Sequence, residues 1–187
     1  MKYGDLFQAS SSLAHCVSQD LKMSLGIAKS FRDTFCRVDH LERQNCKVGQ
    51  TAFLNLEGRY IYYLITKEKY NGKPTYDSLR QCLVNMKEHM VSNGVREVSM
   101  PKIGCGLDFL RWDVVKWIIE DVFQDSNIKI TIYCLKYERA KKLEYSRSSK
   151  YVMFEYWILQ LKATKTHFQT HIPSKHAQKN ALRKCVF

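Results

Sequence analysis

Residues 98–123 read VSMPKIGCGLDFLRWDVVKWIIEDVF, and their order decides the fold. Val98-Ser99-Met100 is a short apolar run that suits a strand. Pro101-Lys102-Ile103-Gly104-Cys105-Gly106-Leu107-Asp108 is a glycine-containing turn. Leu110, Val114, Ile118 and Val122 then fall four apart, the spacing of a helix face. Strand, glycine loop and helix in that order gather free backbone N–H groups and the positive end of a helix dipole, a site for an anion such as phosphate. Gly104 and Gly106 carry no Cβ, so a pyrophosphate could approach the backbone closely. The pattern is neither Gly-x-Gly-x-x-Gly nor a Walker A loop, because no Gly-Lys-Ser/Thr follows. Asp108 has two readings: the N-cap of a helix starting directly after it, or a carboxylate aimed at whatever the loop binds.

Around this stretch, strands alternate with helices. Lys2–Phe7 is a short opening segment with room for only a stubby strand. Leu13–Ser18 reads as a buried strand, and Met23–Ala28 leads into a helix carrying Ile27, Ala28, Phe31 and Phe35. Residues 37–47 suit a second, more polar helix. Thr51–Leu56 and Arg59–Thr66 are joined by Glu57-Gly58 as a hairpin. The continuous apolarity of Tyr60–Ile65 suits a central strand covered on both faces. Thr75 is the expected cap of a helix bearing Leu79, Cys82, Leu83, Met86 and Met90, with Gly94 as its left-handed terminator. Ile128–Leu135 is the last strand. Together these elements make an α/β layered domain of about 135 residues.

The chain has 187 residues, 45% of them hydrophobic and 26% charged, as in a globular domain with a full core. No apolar run approaches the length of a membrane span, and the first residues show no signal-peptide pattern, so neither a membrane nor a secreted location is expected. Seven cysteines lie scattered with no Cys-x-x-Cys, which suits reduced thiols in the nucleus or cytoplasm. The net charge of +12 is uneven. Residues 136–187 hold 12 Lys/Arg against three Glu, so most of the basic character belongs to the C-terminal part. The division expected is a domain over 1–136 and a basic, poorly ordered extension over 137–187. That extension suits either a solvated tail or non-specific nucleic-acid contact. It contains an apolar run, Tyr151–Leu161, and a spaced set of His167, His171, His176 and Cys185 that no ordered element frames as a metal site.

Outside the glycine loop, Lys67 stands where the buried strand ends, the edge on which α/β sheets carry their sites. A solvated surface lysine is the plainer reading. His15, at a strand edge, reads as a core or hydrogen-bonding histidine. Cys105 has no histidine beside it in sequence, which gives a cysteine nucleophile little support.

Several motifs follow one another in a familiar order. They are Gly4-Asp5-Leu6-Phe7, Leu13-Ala14-His15-Cys16-Val17-Ser18, Gly26-Ile27-Ala28, Gly58 through Lys67, Lys73-Pro74-Thr75-Tyr76, and Met100 through Asp108. In this combination, spanning about residue 2 to Leu135, the chain resembles the macrodomain family. It is most similar to the branch of terminal ADP-ribose protein glycohydrolases, also called O-acyl-ADP-ribose deacylases. The resemblance implies a three-layer α/β/α fold with a mixed central sheet. It implies hydrolysis of the ester joining ADP-ribose to glutamate or aspartate, deacylation of O-acyl-ADP-ribose, and a setting in the DNA damage response. Lys67 would be the nucleophile and Asp108 the acid/base. Asp5 would contact the adenine side, Leu6 would line the pocket and Ser18 would lie near the distal ribose. Lys102, Ile103, Gly104, Cys105, Gly106 and Leu107 would wrap the phosphates, and Leu135 would close the adenosine side. No metal or cofactor is required. The implied partners are ADP-ribose, ADP-ribosylated proteins and poly(ADP-ribose), bound by a monomer in the nucleoplasm, nucleolus or cytoplasm. Against the family pattern, the first strand is shortened. Met23-Ser24-Leu25-Gly26 stands where small residues and glycine are preferred, and the part beyond Lys136 has no counterpart. The rival readings are a non-catalytic ADP-ribose reader and a nucleic-acid-binding protein acting through the basic tail.

Overall fold

The computed structural model describes residues 1–135. The expectations for residues 137–187, including the Tyr151–Leu161 run and the histidine spacing, lie outside the described residues. Six strands form one sheet: β1 (Lys2–Tyr3), β2 (Ser12–Ser18), β3 (Thr51–Leu56), β4 (Arg59–Lys67), β5 (Glu97–Met100) and β6 (Lys129–Cys134). Their spatial order is β1-β6-β5-β2-β4-β3, and every neighbouring pair is parallel except β3 with β4. The sheet is therefore mixed, as expected. The β3–β4 hairpin turns through Glu57 and Gly58, both at positive φ (53° and 89°).

Four helices cover the two faces: α1 (Gly26–Phe35), α2 (Val38–Arg43), α3 (Tyr76–Ser92) and α4 (Trp112–Phe123). The alternation along β4 decides which residue meets which layer. Tyr62 and Leu64 pack with Leu79, Leu83, Met86 and Met90 of α3 and Val115 and Ile118 of α4. Ile61, Tyr63 and Ile65 face the other way, onto Phe31 of α1 and Leu41 of α2. A strand apolar at every position is thus the shared wall of two cores, which makes the three layers. Thr75 caps α3 reciprocally: its Oγ1 accepts from Ser78 N–H at 3.0 Å, and Ser78 Oγ accepts from Thr75 N–H at 3.1 Å. Gly94 ends the helix region at φ 66°, as expected.

Three expectations need correction. α4 begins at Trp112 with Arg111 at its cap position, so Asp108 is not the helix cap and Leu110 precedes the helix. The physical reason is local: Leu110 N–H turns back to the Gly104 carbonyl at 2.9 Å, so residues 104–110 close on themselves before a helix can start. The α4 dipole consequently starts beyond the glycine loop. The buried face is also shifted, to Val115, Ile118, Ile119, Val122 and Phe123. Second, Ile27 is exposed (37%) while Phe31 carries the inner face of α1. Third, His15 does not lie at the edge of its strand, although its reading as a core residue holds. It sits inside β2, between β5 and β4, fully buried.

Candidate active site

The five parallel strands all end on one edge of the sheet. Chain order reverses at β2, with β4 on one side and β5 on the other, so the crevice outside their carboxyl ends is the place for a ligand. The residues singled out from the sequence follow these ends. Asp5 and Leu6 follow β1, Ser18 ends β2, Lys67 ends β4, Lys102–Asp108 follow β5 and Leu135 follows β6. Gly4 N–H donates to the Cys134 carbonyl at 2.9 Å, which draws the segment carrying Asp5 to the end of β6 and Leu135.

Lys67 is aimed by a bulge. The β2–β4 register runs one-to-one from Leu13↔Ile61 to Val17↔Ile65, then shifts so that Ser18 pairs with Lys67. An extra residue in one strand bends it and redirects the next side chain. The skipped residue, Thr66, is held on the α3 side, where its carbonyl accepts from Ser78 Oγ at 2.7 Å. Lys67 Nζ then donates to Asp108 Oδ1 at 2.5 Å, with the two side chains 13% and 15% exposed. The residues are 41 apart in sequence, and the carboxylate left free of capping duty by the late start of α4 is the one that meets the amine.

The glycine loop opposite is a tight turn. Ile103 N–H donates to Pro101 O (2.8 Å) and Cys105 N–H to Lys102 O (3.2 Å). Among the described residues, the N–H groups of Gly106 and Leu107 donate to no protein acceptor. The two glycines differ in role. A Cβ on Gly104 would be strained at φ 68° and would have to displace the Leu110 side chain, whose Cδ1 lies 2.7 Å away, so glycine suits the turn. A Cβ on Gly106 would meet nothing within 4 Å, so that residue opens to the crevice. Lys102 is exposed and its Nζ lies 5.5 Å from the Trp112 ring centroid.

Cys105 donates from Sγ to Ile103 O at 3.2 Å, and burial pushes its thiol up to about 11. Burial above all raises Cys16 well above the usual thiol range, and the Asp108 carboxylate adds to it. Both stay protonated near neutral pH, so the site offers an amine and a carboxylate rather than a thiolate. Asp5 is the cap of the 3-10 turn at Leu6–Gln8, its Oδ1 accepting from Phe7 N–H at 3.0 Å. Leu6 is 4% exposed and packs in the α1-side core. Ser18 Oγ donates to Asp20 Oδ1 at 2.5 Å.

Sequence reasoning missed Asp20. Its other oxygen accepts from Tyr70 N–H at 2.9 Å, so it ties the end of β2 to the connection that follows Lys67. Burial works against its charge. Hydrogen bonds from Ser18, Tyr70 and Lys22 outweigh that cost and hold its pKa below the ordinary carboxylate value. A Ser-x-Asp at a strand end was the only local signal. A separate open groove of about 450 Å³ lies between α4 and β6, lined by Trp112, Ile119, Phe123, Ile130 and Ile132, and contains none of these residues. Among the described residues no three His, Cys, Asp or Glu are grouped to hold a metal, and no helix is long and apolar enough to cross a membrane.

A three-layer α/β/α domain whose glycine loop faces the carboxyl ends of β2 and β4 defines a class, and the sequence agrees: residues 13–119 match the Macro domain family, and the chain belongs to it. Two relatives, each called ADP-ribose glycohydrolase OARD1, one human and one bovine, are each 51% identical over 134 residues, 71% of this chain and 88% of theirs. Uncharacterized protein 032R of Invertebrate iridescent virus 6 is 37% identical over 87 residues, 46% of this chain and 86% of that protein. Among solved structures, the macrodomain of Mycobacterium tuberculosis DarG superposes with a TM-score of 0.64 at 20% identity, over 70% of this chain and 93% of that one. Thermosipho africanus DarTG, solved in complex with ADP-ribose, gives 0.63 at 20% identity, over 72% of this chain and 40% of that one.

Proposed function

We propose that this chain is a hydrolase that removes ADP-ribose ester-linked to glutamate or aspartate of proteins, with Lys67 as nucleophile and Asp108 as acid/base. The observation that carries the reading is the Lys67 Nζ–Asp108 Oδ1 contact of 2.5 Å at the end of β4, beside the glycine loop. The 51% identity to proteins named ADP-ribose glycohydrolase supports the same class of substrate. In this reading the amides of residues 102–107 receive the pyrophosphate, Asp5, Leu6 and Leu135 lie toward the adenosine, and Ser18 toward the distal ribose.

The amine becomes nucleophilic once the proton it shares with Asp108 has moved to the carboxylate. Nζ then attacks the anomeric carbon: the C–N bond forms as the C–O bond to the acyl oxygen breaks, and Asp108 hands its proton to the departing carboxyl group. Opening of the ribose ring turns this adduct into an imine. Asp108, again a carboxylate, takes a proton from the water that cleaves the lysine adduct, ADP-ribose is released, and that proton returns to the freed amine. O-acyl-ADP-ribose carries a comparable ester and falls within the same chemistry, and terminal units of poly(ADP-ribose) are further ligands. The six described cysteines are all free, which fits action in the nucleus or cytoplasm.

The test is incubation of the purified chain with a protein carrying ADP-ribose on glutamate. Free ADP-ribose should appear as the label leaves the protein. Tight ADP-ribose binding with no release would replace the hydrolase reading with a non-catalytic reader.

A further inference from the structure

Asp108 stands in a turn whose two neighbours are both held by one side chain. Lys73, in the connection from β4 to α3, donates from Nζ to the Leu107 carbonyl at 3.3 Å. The same ammonium lies 4.5 Å from the centroid of the Phe109 ring, within cation–π range. Phe109 sits at φ 60°, a left-handed conformation that a bulky L residue rarely adopts. It is 50% exposed, so burial does not hold it there. What holds it is its amide on the Gly106 carbonyl at 3.2 Å and the lysine against its ring. Lys73 works from a fixed base. Tyr70 N–H is bound by Asp20 at 2.9 Å, Gly72 N–H closes on the Lys69 carbonyl at 2.9 Å, and α3 starts with its cap at Thr75. Three residues further on, Tyr76 Oη accepts from Arg111 N–H at 3.1 Å, which pins the far end of the same turn.

We propose that Lys73 and Phe109 form a latch that keeps the 106–110 turn in its strained conformation and so aims Asp108 at Lys67, making both residues positioning residues for hydrolysis. Lys67, the last residue of β4, and Lys73, in the connection that follows, reach adjacent residues of the glycine loop, the Asp108 carboxylate and the Leu107 carbonyl. The ion pair alone fixes only the tip of Asp108. The latch fixes the backbone that carries it, against the tendency of a phenylalanine to return to negative φ. Because the carboxylate must exchange protons with the amine and then with water, a small displacement of its backbone is felt in the chemical steps more than in ground-state binding.

The inference rests on the hydrolase reading, and its test separates the two. Lys73→Met, Lys73→Arg, Phe109→Leu and the Lys73→Met/Phe109→Leu double variant would be compared with the parent chain for kcat, KM and Tm on glutamate-linked ADP-ribose. Crystal structures of the parent and Lys73→Met would accompany the kinetics. Lys73→Met should lower kcat about tenfold or more with KM within about threefold, Lys73→Arg should recover most of it, and the double variant should be little worse than the worse single, as expected of groups acting as a unit. The Lys67 Nζ–Asp108 Oδ1 contact should lengthen in the Lys73→Met crystal. Unchanged kcat would overturn the latch. So would a raised KM at unchanged kcat, which would make Lys73 a substrate contact. If the parent chain shows no turnover, the hydrolase reading fails by itself. The crystals then decide the latch: a contact still short in Lys73→Met overturns it, and an opened one supports it.

Discussion

Replacing His15 with leucine should make the protein less sensitive to acid, and the size of the effect follows from where the ring sits. His15 is fully buried, its ring 3.8 Å centroid to centroid from Phe31 and 4.8 Å from Tyr63. Neither ring nitrogen has a hydrogen-bond partner. Burial pushes the imidazole from 6.5 down to about 3. The unfolded chain therefore binds a proton below pH 6.5 that the folded chain refuses until about pH 3. Since the unfolded state holds more protons in that window, stability rises with pH across it and is lost as pH falls. At pH 5 the gap of about 1.5 pH units corresponds to about 2 kcal/mol, or on the order of 8 °C in Tm for a domain of this size. Near pH 7.5 both forms are neutral, and leucine should gain about 1–3 kcal/mol by removing two unpaired buried polar atoms, less what the lost ring stacking costs. Thermal or urea unfolding of the two proteins at pH 7.5 and pH 5 measures this directly. The stability difference should widen in favour of His15→Leu by about 2 kcal/mol on going to pH 5. Parallel curves would refute the argument.

The glycine loop predicts a contrast: Gly104→Ala should destabilise the fold by about 1–3 kcal/mol, because it adds strain at positive φ and a clash with Leu110. Gly106→Ala should leave Tm nearly unchanged, since its Cβ would enter open space, and it should weaken ADP-ribose binding by calorimetry if that amide faces the pyrophosphate. Thr75→Ala removes one half of the reciprocal cap on α3 and should cost about 1 kcal/mol, read as a fall in denaturation midpoint.

Much of this architecture was legible because its signals are local and redundant. The unbroken apolar run of β4 required cover on both faces, and the core clusters supply it. Thr75, Glu57-Gly58 and Gly94 each behaved as their turn chemistry demands. The start of α4 was not legible, because Asp108 has the side chain of a helix cap and Leu110 keeps the helical spacing. The deciding interaction, Leu110 N–H on Gly104 O, is a turn closure that no periodicity encodes. His15 could be read as a core residue, but that its strand is central follows from strand order, which the sequence does not display. Within the site, the proximity of Lys67 and Asp108 could be expected from their places after β4 and β5. The bulge at Thr66, the Asp20 tie and the Lys73–Phe109 contact depend on register and loop packing, which appear only in three dimensions.

The central claim is a lysine adduct. Borohydride added while the chain turns over glutamate-linked ADP-ribose would reduce an imine to a stable amine, and peptide mass spectrometry would locate it. The account predicts ADP-ribose fixed to Lys67, with Lys67→Ala giving neither adduct nor turnover while its ADP-ribose affinity stays within about threefold. Undiminished turnover in Lys67→Ala, or an adduct on another lysine, would contradict it.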